Sequence, residues 1–305
     1  MSSISGAGAT TAPAPAASPA SKPAEFRPVL LDSGREGDLR AIAAYLMRTE
    51  VHTFAFSVAA NAILSFFPFL VLLLTLTRQV FHSRAMSEVV LQLLRSYLPA
   101  GQDFVARNLL ALVAAHRGVK IFSLAMLLFS STGVFLPLEV ALNHVWGFTK
   151  NRNYLANQAV SLLLAVCCGT LALISVALAA GNQSWLGWLL GSRANFVVTI
   201  SGFVVLKASA FAASVAIFFL IFWLLPNGKV AARSVLPGAL FTGLVWDLSK
   251  YVYILALPWL DFQQVYGPFA LSVTLIFWAF LSGMLLLGGA QYSALRAHRA
   301  ALSNV

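Results

Sequence analysis

Two long apolar runs dominate the carboxy-terminal third of the chain. The first follows Lys229 and Arg233 and extends to Pro258, and the second begins after a short polar link and ends at Tyr292. Because an α-helix rises about 1.5 Å per residue, a helix of about 20 residues crosses a hydrocarbon core roughly 30 Å thick. Each run exceeds that length, so the pair predicts a hairpin of two membrane spans.

The composition of the whole chain is that of a membrane protein. Hydrophobic residues make up 59% of the 305 residues and charged residues only 10%, whereas about a quarter of the residues in soluble proteins are charged. The two cysteines, Cys167 and Cys168, are adjacent and poorly placed for a bridge. The five histidines are scattered without the spacing of metal ligands. We therefore expect no disulfide, no metal and no cofactor.

Further apolar runs complete an all-α fold. The pattern predicts a polytopic membrane helical bundle of about six spans, at residues 54–77, 119–143, 154–180, 196–225, 234–258 and 268–292. Three other stretches have apolar residues at helical spacing but are too polar to span: 36–50, 84–98 and 102–116. The first of these either lies at the membrane surface or packs on the end of the bundle. The other two form an amphipathic hairpin that caps the bundle between the first and second spans.

The two ends of the chain differ from the membrane domain at residues 36–299. Residues 1–35 are rich in Ala, Pro and Ser and contain few large apolar side chains, so they predict a disordered tail. Residues 300–305 form a short tail after the last span.

The net charge of +10 is better explained by membrane topology than by nucleic-acid binding. Lys and Arg collect in cytoplasmic loops of membrane proteins, and the short loops that carry Arg152, Lys229 and Arg233 lie on one side of a six-span bundle. Both termini should then be cytoplasmic. The segment 78–118 conflicts with this rule, since it places several arginines on the opposite side.

Polar side chains inside the spans are the candidates for function. Burial of such groups in lipid is costly, so they face one another or water. We expect them to line a polar cavity that opens towards the cytoplasm. They are Asn61 and Ser65 in the first span, Thr132, Glu139 and Asn143 in the second, Asp247 and Lys250 in the fifth, and Gln291 in the sixth.

Two explanations hold for each charged candidate. Asp247 and Lys250 are one helical turn apart, and they form either a neutralising pair that holds helices together or a site that meets a proton or the head group of an amphiphile. Glu139 and Asn143 either hydrogen-bond between helices or belong to the same site.

The sequence does not favour an enzyme. It contains no G-x-S-x-G, H-E-x-x-H or P-loop motif, and no paired acids or clustered histidines at an obvious site. No catalytic residue is therefore assigned.

Several short motifs follow one another in a characteristic order between about Leu39 and Arg299. They are Ser65-Phe66-Phe67-Pro68, Ser131-Thr132-Gly133 with Glu139, Asn143 and Trp146, Leu225-Pro226-Asn227, Leu236-Pro237-Gly238-Ala239, Val265-Tyr266-Gly267 and Leu287-Gly288. In these motifs the chain resembles the YihY/virulence factor BrkB family of bacterial inner-membrane proteins. It departs from the family at Ala60 and Asn61, where tyrosines are frequent, and at Gln291, where Glu is frequent. If the tyrosines or the Glu bind a proton or a substrate in relatives, that role is not carried over to Ala60, Asn61 or Gln291.

The resemblance implies a six-span bundle in the bacterial inner membrane. Family members are linked to serum resistance and envelope integrity, and some carry an old ribonuclease BN label. The expected function is the handling or translocation of a lipid or another amphiphile, with membrane lipids and lipid or lipopolysaccharide precursors as partners and no nucleic acid. The alternatives are a membrane-bound ribonuclease that processes transfer RNA and a scaffold without transport. The oligomeric state stays open.

Overall fold

A computed structural model describes residues 35–97, 102–114, 117–149, 152–190 and 196–302. Within these ranges the regular secondary structure is helical and contains no strand, as the sequence predicts. Residues 1–34 and 303–305, which belong to the predicted tails, lie outside the described residues.

Ten α-helices form the described part of the chain. They are α1 Arg35–Leu46, α2 Thr49–Thr75, α3 Arg84–Tyr97, α4 Gln102–Ala114, α5 Arg117–Trp146, α6 Tyr154–Leu190, α7 Phe196–Leu224, α8 Ala232–Leu260, α9 Phe262–Tyr266 and α10 Ala270–Leu302. A π-helical turn, Leu76–Val80, follows α2, and a 3-10 turn, Gly267–Phe269, precedes α10.

Two helix boundaries differ from the pattern in the sequence. The predicted helix 36–50 ends at Leu46 instead, because Arg48 has extended backbone angles of φ −73° and ψ 135° and α2 then starts at Thr49. The predicted polar link after Pro258 is mostly helical. Asp261 ends α8 with a positive φ of 39°, and its carboxylate accepts a 3.3 Å hydrogen bond from the backbone N–H of Gln264 in α9.

Five described helical segments are long and apolar enough to cross a membrane. They are Thr49–Val80, Tyr154–Leu178, Lys207–Leu224, Ala232–Leu260 and Phe262–Arg299. The predicted span 119–143 corresponds to α5, which has 30 residues but is not among these five, and many of its side chains lie outside the described part of the structure.

The two ends of the described chain meet at the same end of the bundle. Arg299, in the last turn of α10, donates a 2.7 Å hydrogen bond to the buried Asp38 carboxylate of α1. The neighbouring residues Ile42 and Leu46 of α1 pack against Gly288 of α10. A chain whose ends share one side crosses the membrane an even number of times. The six spans predicted from the sequence agree with this arrangement, and α5, with 30 residues, is long enough to be the sixth.

Helices α2 and α5 pack side by side in antiparallel orientation. Phe54, near the start of α2, lies 6.2 Å from the ring of His144, near the end of α5. Further along α2, Asn61 packs directly on Gly133, which precedes His144 in α5. The absence of a side chain at Gly133 allows the two helices to approach closely.

Two apolar clusters hold the bundle together. The larger one contains side chains of α1, α2, α5, α6, α7, α8 and α10, including the buried Tyr45, Leu142 and Phe222. Burial raises the pKa of the Tyr45 phenol, so this ring stays neutral at physiological pH. The second cluster joins the far end of α2 to α6 and to the hairpin α3–α4. The amphipathic hairpin thus packs its apolar face on one end of the bundle.

Helices α8 and α10 approach each other through small residues. Gly289 of α10 faces the Thr242 side chain of α8, and Gly238 of α8 faces the Ser293 side chain of α10. A methyl group at either glycine would overlap the facing side chain. Because lipid offers no hydrophobic drive for helix association, close packing of this kind contributes to the attraction between the two helices.

We expect Gly289→Ala to destabilise the protein by about 1–3 kcal/mol, since overpacking forces the helices apart. The second substitution Thr242→Ala removes the overlapping hydroxyl and methyl groups and should restore part of the loss. The measurement is the thermal midpoint of the purified protein in detergent. Gly169→Ala is the control, because its new methyl group would have only Phe69 within reach, at 4.0 Å. Equal stability of Gly289→Ala and Gly169→Ala would contradict the close packing.

Candidate functional site

The charged pair predicted in the fifth span is formed in α8. The Lys250 ammonium group donates a short hydrogen bond to the Asp247 carboxylate. The Lys250 side chain is 7% exposed, whereas the Asp247 side chain is 33% exposed. The pair therefore has a buried positive end and a negative end that reaches the surface of the bundle.

Aromatic rings surround the buried ammonium group. The Lys250 Nζ lies 5.5 Å from the Trp246 ring centroid and 5.0 Å from the Tyr251 ring centroid. A second ammonium group, that of Lys207 on α7, lies 5.3 Å from the same Tyr251 ring. Cations favour the faces of electron-rich rings, and this attraction strengthens where water is excluded. The α7–α8 surface therefore gathers two positive groups, one carboxylate and two aromatic rings.

Glu139 and Asn143 lie in a different place, at the end of α5. Both side chains are almost completely buried, at 1% and 0% exposure. Glu139 Oε1 accepts a 3.2 Å hydrogen bond from the backbone N–H of Arg152, and Asn143 Oδ1 accepts one of 2.7 Å from the backbone N–H of Asn227. These bonds tie α5 to the two loops that precede α6 and α8.

Arg152 completes this connection with its guanidinium group. It donates hydrogen bonds of 2.9–3.0 Å to the carbonyl oxygens of Leu224, Leu225 and Pro226. The last carbonyls of a helix have no partner within the helix and carry partial negative charge, so a guanidinium group is well suited to the end of α7. In the sequence, Arg152 is interpreted only as a basic loop residue that marks the cytoplasmic side. Its role depends on a contact more than 70 residues away along the chain, which no local pattern reveals.

Several buried polar atoms around this point have no hydrogen-bond partner among the described residues. On α5 they are Glu139 Oε2 and Trp146 Nε1, and on the first turns of α6 they are Asn157 Oδ1, Gln158 Oε1 and Ser161 Oγ. Buried polar groups are almost always satisfied by protein or ordered water. This inner polar cluster therefore has free capacity for water or for a polar group of a ligand.

Asn157 and Ser161, in the third span, are not among the candidates predicted from the sequence. Asn157 is 3% exposed and Ser161 is 0% exposed. The two residues are four positions apart and therefore share one face of α6. That spacing is the signal that could have identified them.

The remaining predicted residues are distributed over three helices. On α2, the Asn61 amide donates to the Ser57 carbonyl at 2.9 Å, and the Ser65 hydroxyl donates to the Ala62 carbonyl at 2.9 Å. Gln291 of α10 is 6% exposed, and its Oε1 has no partner within the described residues. The side chain of Thr132 lies outside the described residues.

The structure thus joins Glu139 and Asn143 through neighbouring loops and joins Asp247 to Lys250. The described contacts do not link these two groups to each other or to Gln291. Among the described residues, no group of three His, Cys, Asp or Glu side chains is placed to hold a metal ion.

The apolar helices and the polar groups buried between them define a multi-pass helical membrane protein. The family model of the virulence factor BrkB matches residues 42–304, which is most of the chain. The protein therefore belongs to the virulence factor BrkB family.

Three relatives illustrate the range of similarity. The chain is 26% identical over 246 residues to the ribonuclease-like protein YfkH of Bacillus subtilis (strain 168), covering 76% of this chain and 85% of the relative. It is 26% identical over 202 residues to a UPF0761 membrane protein of Glaesserella parasuis serovar 5 (strain SH0165), covering 65% of this chain and 69% of the relative. A UPF0761 membrane protein of Chlorobium chlorochromatii (strain CaD3) is 25% identical over 201 residues, which cover 66% of this chain and 45% of the relative. No solved structure matches the chain significantly.

We expect Arg152→Ala to lower the stability by about 2 kcal/mol, because it removes charged hydrogen bonds and leaves carbonyl groups of α7 without a donor. Arg152→Lys should recover little, since one ammonium group does not match the three carbonyls as the planar guanidinium does. The measurement is unfolding in mixed micelles with increasing sodium dodecyl sulfate. Arg40→Ala, at an exposed position on α1, is the control for lost charge. An Arg152→Ala protein as stable as this control would show that the hydrogen bonds from Arg152 to the end of α7 contribute nothing to stability.

Proposed function

We propose that this protein receives the polar head group of a lipid or another amphiphile at the α7–α8 surface, where Asp247, Lys250 and Lys207 lie. The observation that carries the proposal is the partial exposure of Asp247 in the middle of a candidate span. The Asp247 side chain is 33% exposed, and it is flanked on α8 by the exposed apolar residues Leu244 and Leu248.

The physical reason is the cost of a carboxylate in contact with acyl chains. A charged group near the centre of a bilayer costs several kcal/mol unless a partner or water meets it. Lys250 neutralises one side of Asp247, but its own ammonium group is buried and cannot cover the exposed side. The cation of a zwitterionic head group between α7 and α8 would meet the exposed side of the Asp247 carboxylate, and a head-group phosphate would face Lys207.

The cellular setting of the proposal follows the family. Membrane lipids and lipid or lipopolysaccharide precursors are the proposed ligands, the inner membrane of a bacterium is the proposed location, and both termini are proposed to face the cytoplasm. The inner polar cluster would then lie near the cytoplasmic end of the bundle, where Glu139, Asn157 and Ser161 have buried polar atoms without a partner among the described residues.

A ribonuclease is the second candidate, because YfkH is named ribonuclease-like. Hydrolysis of RNA generally uses bound metal ions or positioned acid-base groups. The described residues place no three metal-ligating side chains together. The name of the relative is therefore the only support for this candidate, and it enters the experiment as a separate measurement.

The test uses purified protein in vesicles that contain fluorescent analogues of anionic and zwitterionic phospholipids. Transfer of the analogue between leaflets is followed by chemical quenching of the outer leaflet. The key variant is Asp247→Asn with Lys250→Met, because removing both charges leaves neither member of the pair as an unpaired charge. We expect the double variant to fold and to lose at least tenfold in the transfer rate, whereas either single variant should also lose stability.

Glu50→Gln with Lys229→Met is the matched control, since it removes one charge of each sign at exposed positions. If the double variant transfers lipid at the wild-type rate, the pair is a neutralising contact and the site is wrong. If the wild-type protein transfers no lipid but cleaves RNA in detergent, the ribonuclease candidate replaces the proposal. If it does neither and changes at Asp247 are tolerated, the scaffold alternative replaces the proposal.

A further inference from the structure

A pocket lies at the corner where α2 ends and α3 begins, away from the α7–α8 surface. It has a volume of about 390 Å³ and is lined by Arg78, His82, Ser83, Arg84, Ser87 and Glu88. We call it the corner pocket. The first candidate span ends at Val80, so the pocket lies at the level where the chain leaves the membrane.

The two arginines of the corner pocket are free to bind a ligand. Among the residues that the structure describes, Arg78, Arg84 and Glu88 have no ion-pair or hydrogen-bond partner. Their side chains are exposed, and the arginines do not pair with the carboxylate of the same pocket. Two guanidinium groups against one carboxylate leave the pocket with a net positive charge.

The backbone of the corner is held in place by polar contacts. The Ser83 hydroxyl accepts a 3.2 Å hydrogen bond from the N–H of Met86 and so caps the start of α3. The buried Ser87 hydroxyl donates to the Ser83 carbonyl at 3.1 Å and lies 3.3 Å from the Thr77 hydroxyl. His82 has a positive φ of 50°, and its Nδ1 lies 3.1 Å from the Val80 carbonyl oxygen. The pocket is therefore built on an ordered turn.

The position of these arginines needs an explanation other than topology. The start of α2 lies beside the end of α5, which precedes the loop that carries Arg152. The corner pocket follows the end of α2 and so lies at the opposite face of the bundle. Basic residues that fix topology are enriched on one face, the cytoplasmic one. Arginines on the other face are accounted for if they bind an anion.

We propose that the corner pocket binds a phosphate group, with the Arg78 and Arg84 guanidinium groups as its charged ligands. Guanidinium groups bind phosphate oxygens through paired, charge-assisted hydrogen bonds. Beside the pocket, Val80 and Phe81 are 60% and 53% exposed, so an apolar surface adjoins the charged one. The phosphate of an anionic lipid fits both surfaces, and free phosphate fits the charged one alone. Binding at this site does not require lipid transfer at the α7–α8 surface.

The experiment measures binding by the full-length protein rather than transport. Wild-type protein is purified from nanodiscs that contain equal amounts of phosphatidylglycerol and phosphatidylcholine, and retained lipids are counted by native mass spectrometry. The variant is Arg78→Gln with Arg84→Gln. Arg40→Gln with Arg107→Gln is the control, because it removes the same charge from exposed positions on α1 and α4. The thermal midpoint of each protein verifies that it is folded.

We expect the wild-type and control proteins to retain phosphatidylglycerol in preference to phosphatidylcholine, and the variant to lose this preference at least tenfold. Inorganic phosphate at millimolar concentration should displace the lipid. Displacement assays with radiolabelled phosphate separate the two sources. Arginine-dependent binding of phosphate without a preference for phosphatidylglycerol supports the pocket as a site for free phosphate.

Retention of phosphatidylglycerol by the variant at the wild-type level, or no binding of either probe by the wild-type protein, overturns the proposal. The variant Asp247→Asn with Lys250→Met should bind both probes normally at the corner pocket. Failure of lipid transfer and failure of phosphate binding are therefore separate results.

Discussion

The hydrocarbon interior of a membrane contains no water, and this constraint shapes every polar group in the bundle. Backbone groups satisfy one another in helices, and small hydroxyl side chains bond back to their own helix. Thr242 donates to the Gly238 carbonyl and Thr274 to the Ala270 carbonyl, each at 2.7 Å. Several larger groups instead reach another helix or a loop, as Trp246 and Arg152 do, and these groups help to decide how the helices are arranged.

The larger polar groups divide into those that are satisfied and those with unused capacity. Trp246 donates to the Ser282 hydroxyl at 3.0 Å and Tyr253 to the Thr274 carbonyl at 2.8 Å, so both join α8 to α10. These contacts are complete and structural. The Asp247 side chain is 33% exposed, and the buried Glu139 Oε2 has no hydrogen-bond partner among the described residues. The difference separates groups that hold helices together from groups that are suited to a ligand, and it motivates the proposals for α7–α8.

Much of the fold was predictable from the sequence, because the length of an apolar run and the period of its residues determine a helix locally. The pairing of Asp247 with Lys250 was also predictable, since both residues lie on one turn of α8. The partners of Arg152 and Asn143 were not, because they lie 73 and 84 positions away along the chain. Helical spacing identifies the face that a side chain occupies but not the element that it meets. The same limit applies to Lys207, whose ring partner Tyr251 lies on another helix.

The contact between α1 and α10 bears on how the protein is made. Asp38 and Arg299 are separated by 261 residues, and their hydrogen bond joins the beginning of α1 to the end of α10. During translation α1 leaves the ribosome long before α10 exists, so the side chains of α1 that pack on α10 have no permanent partner until synthesis is almost complete. The docking of α1 is therefore a late step in assembly, and a truncated chain that lacks the end of α10 would leave that face uncovered.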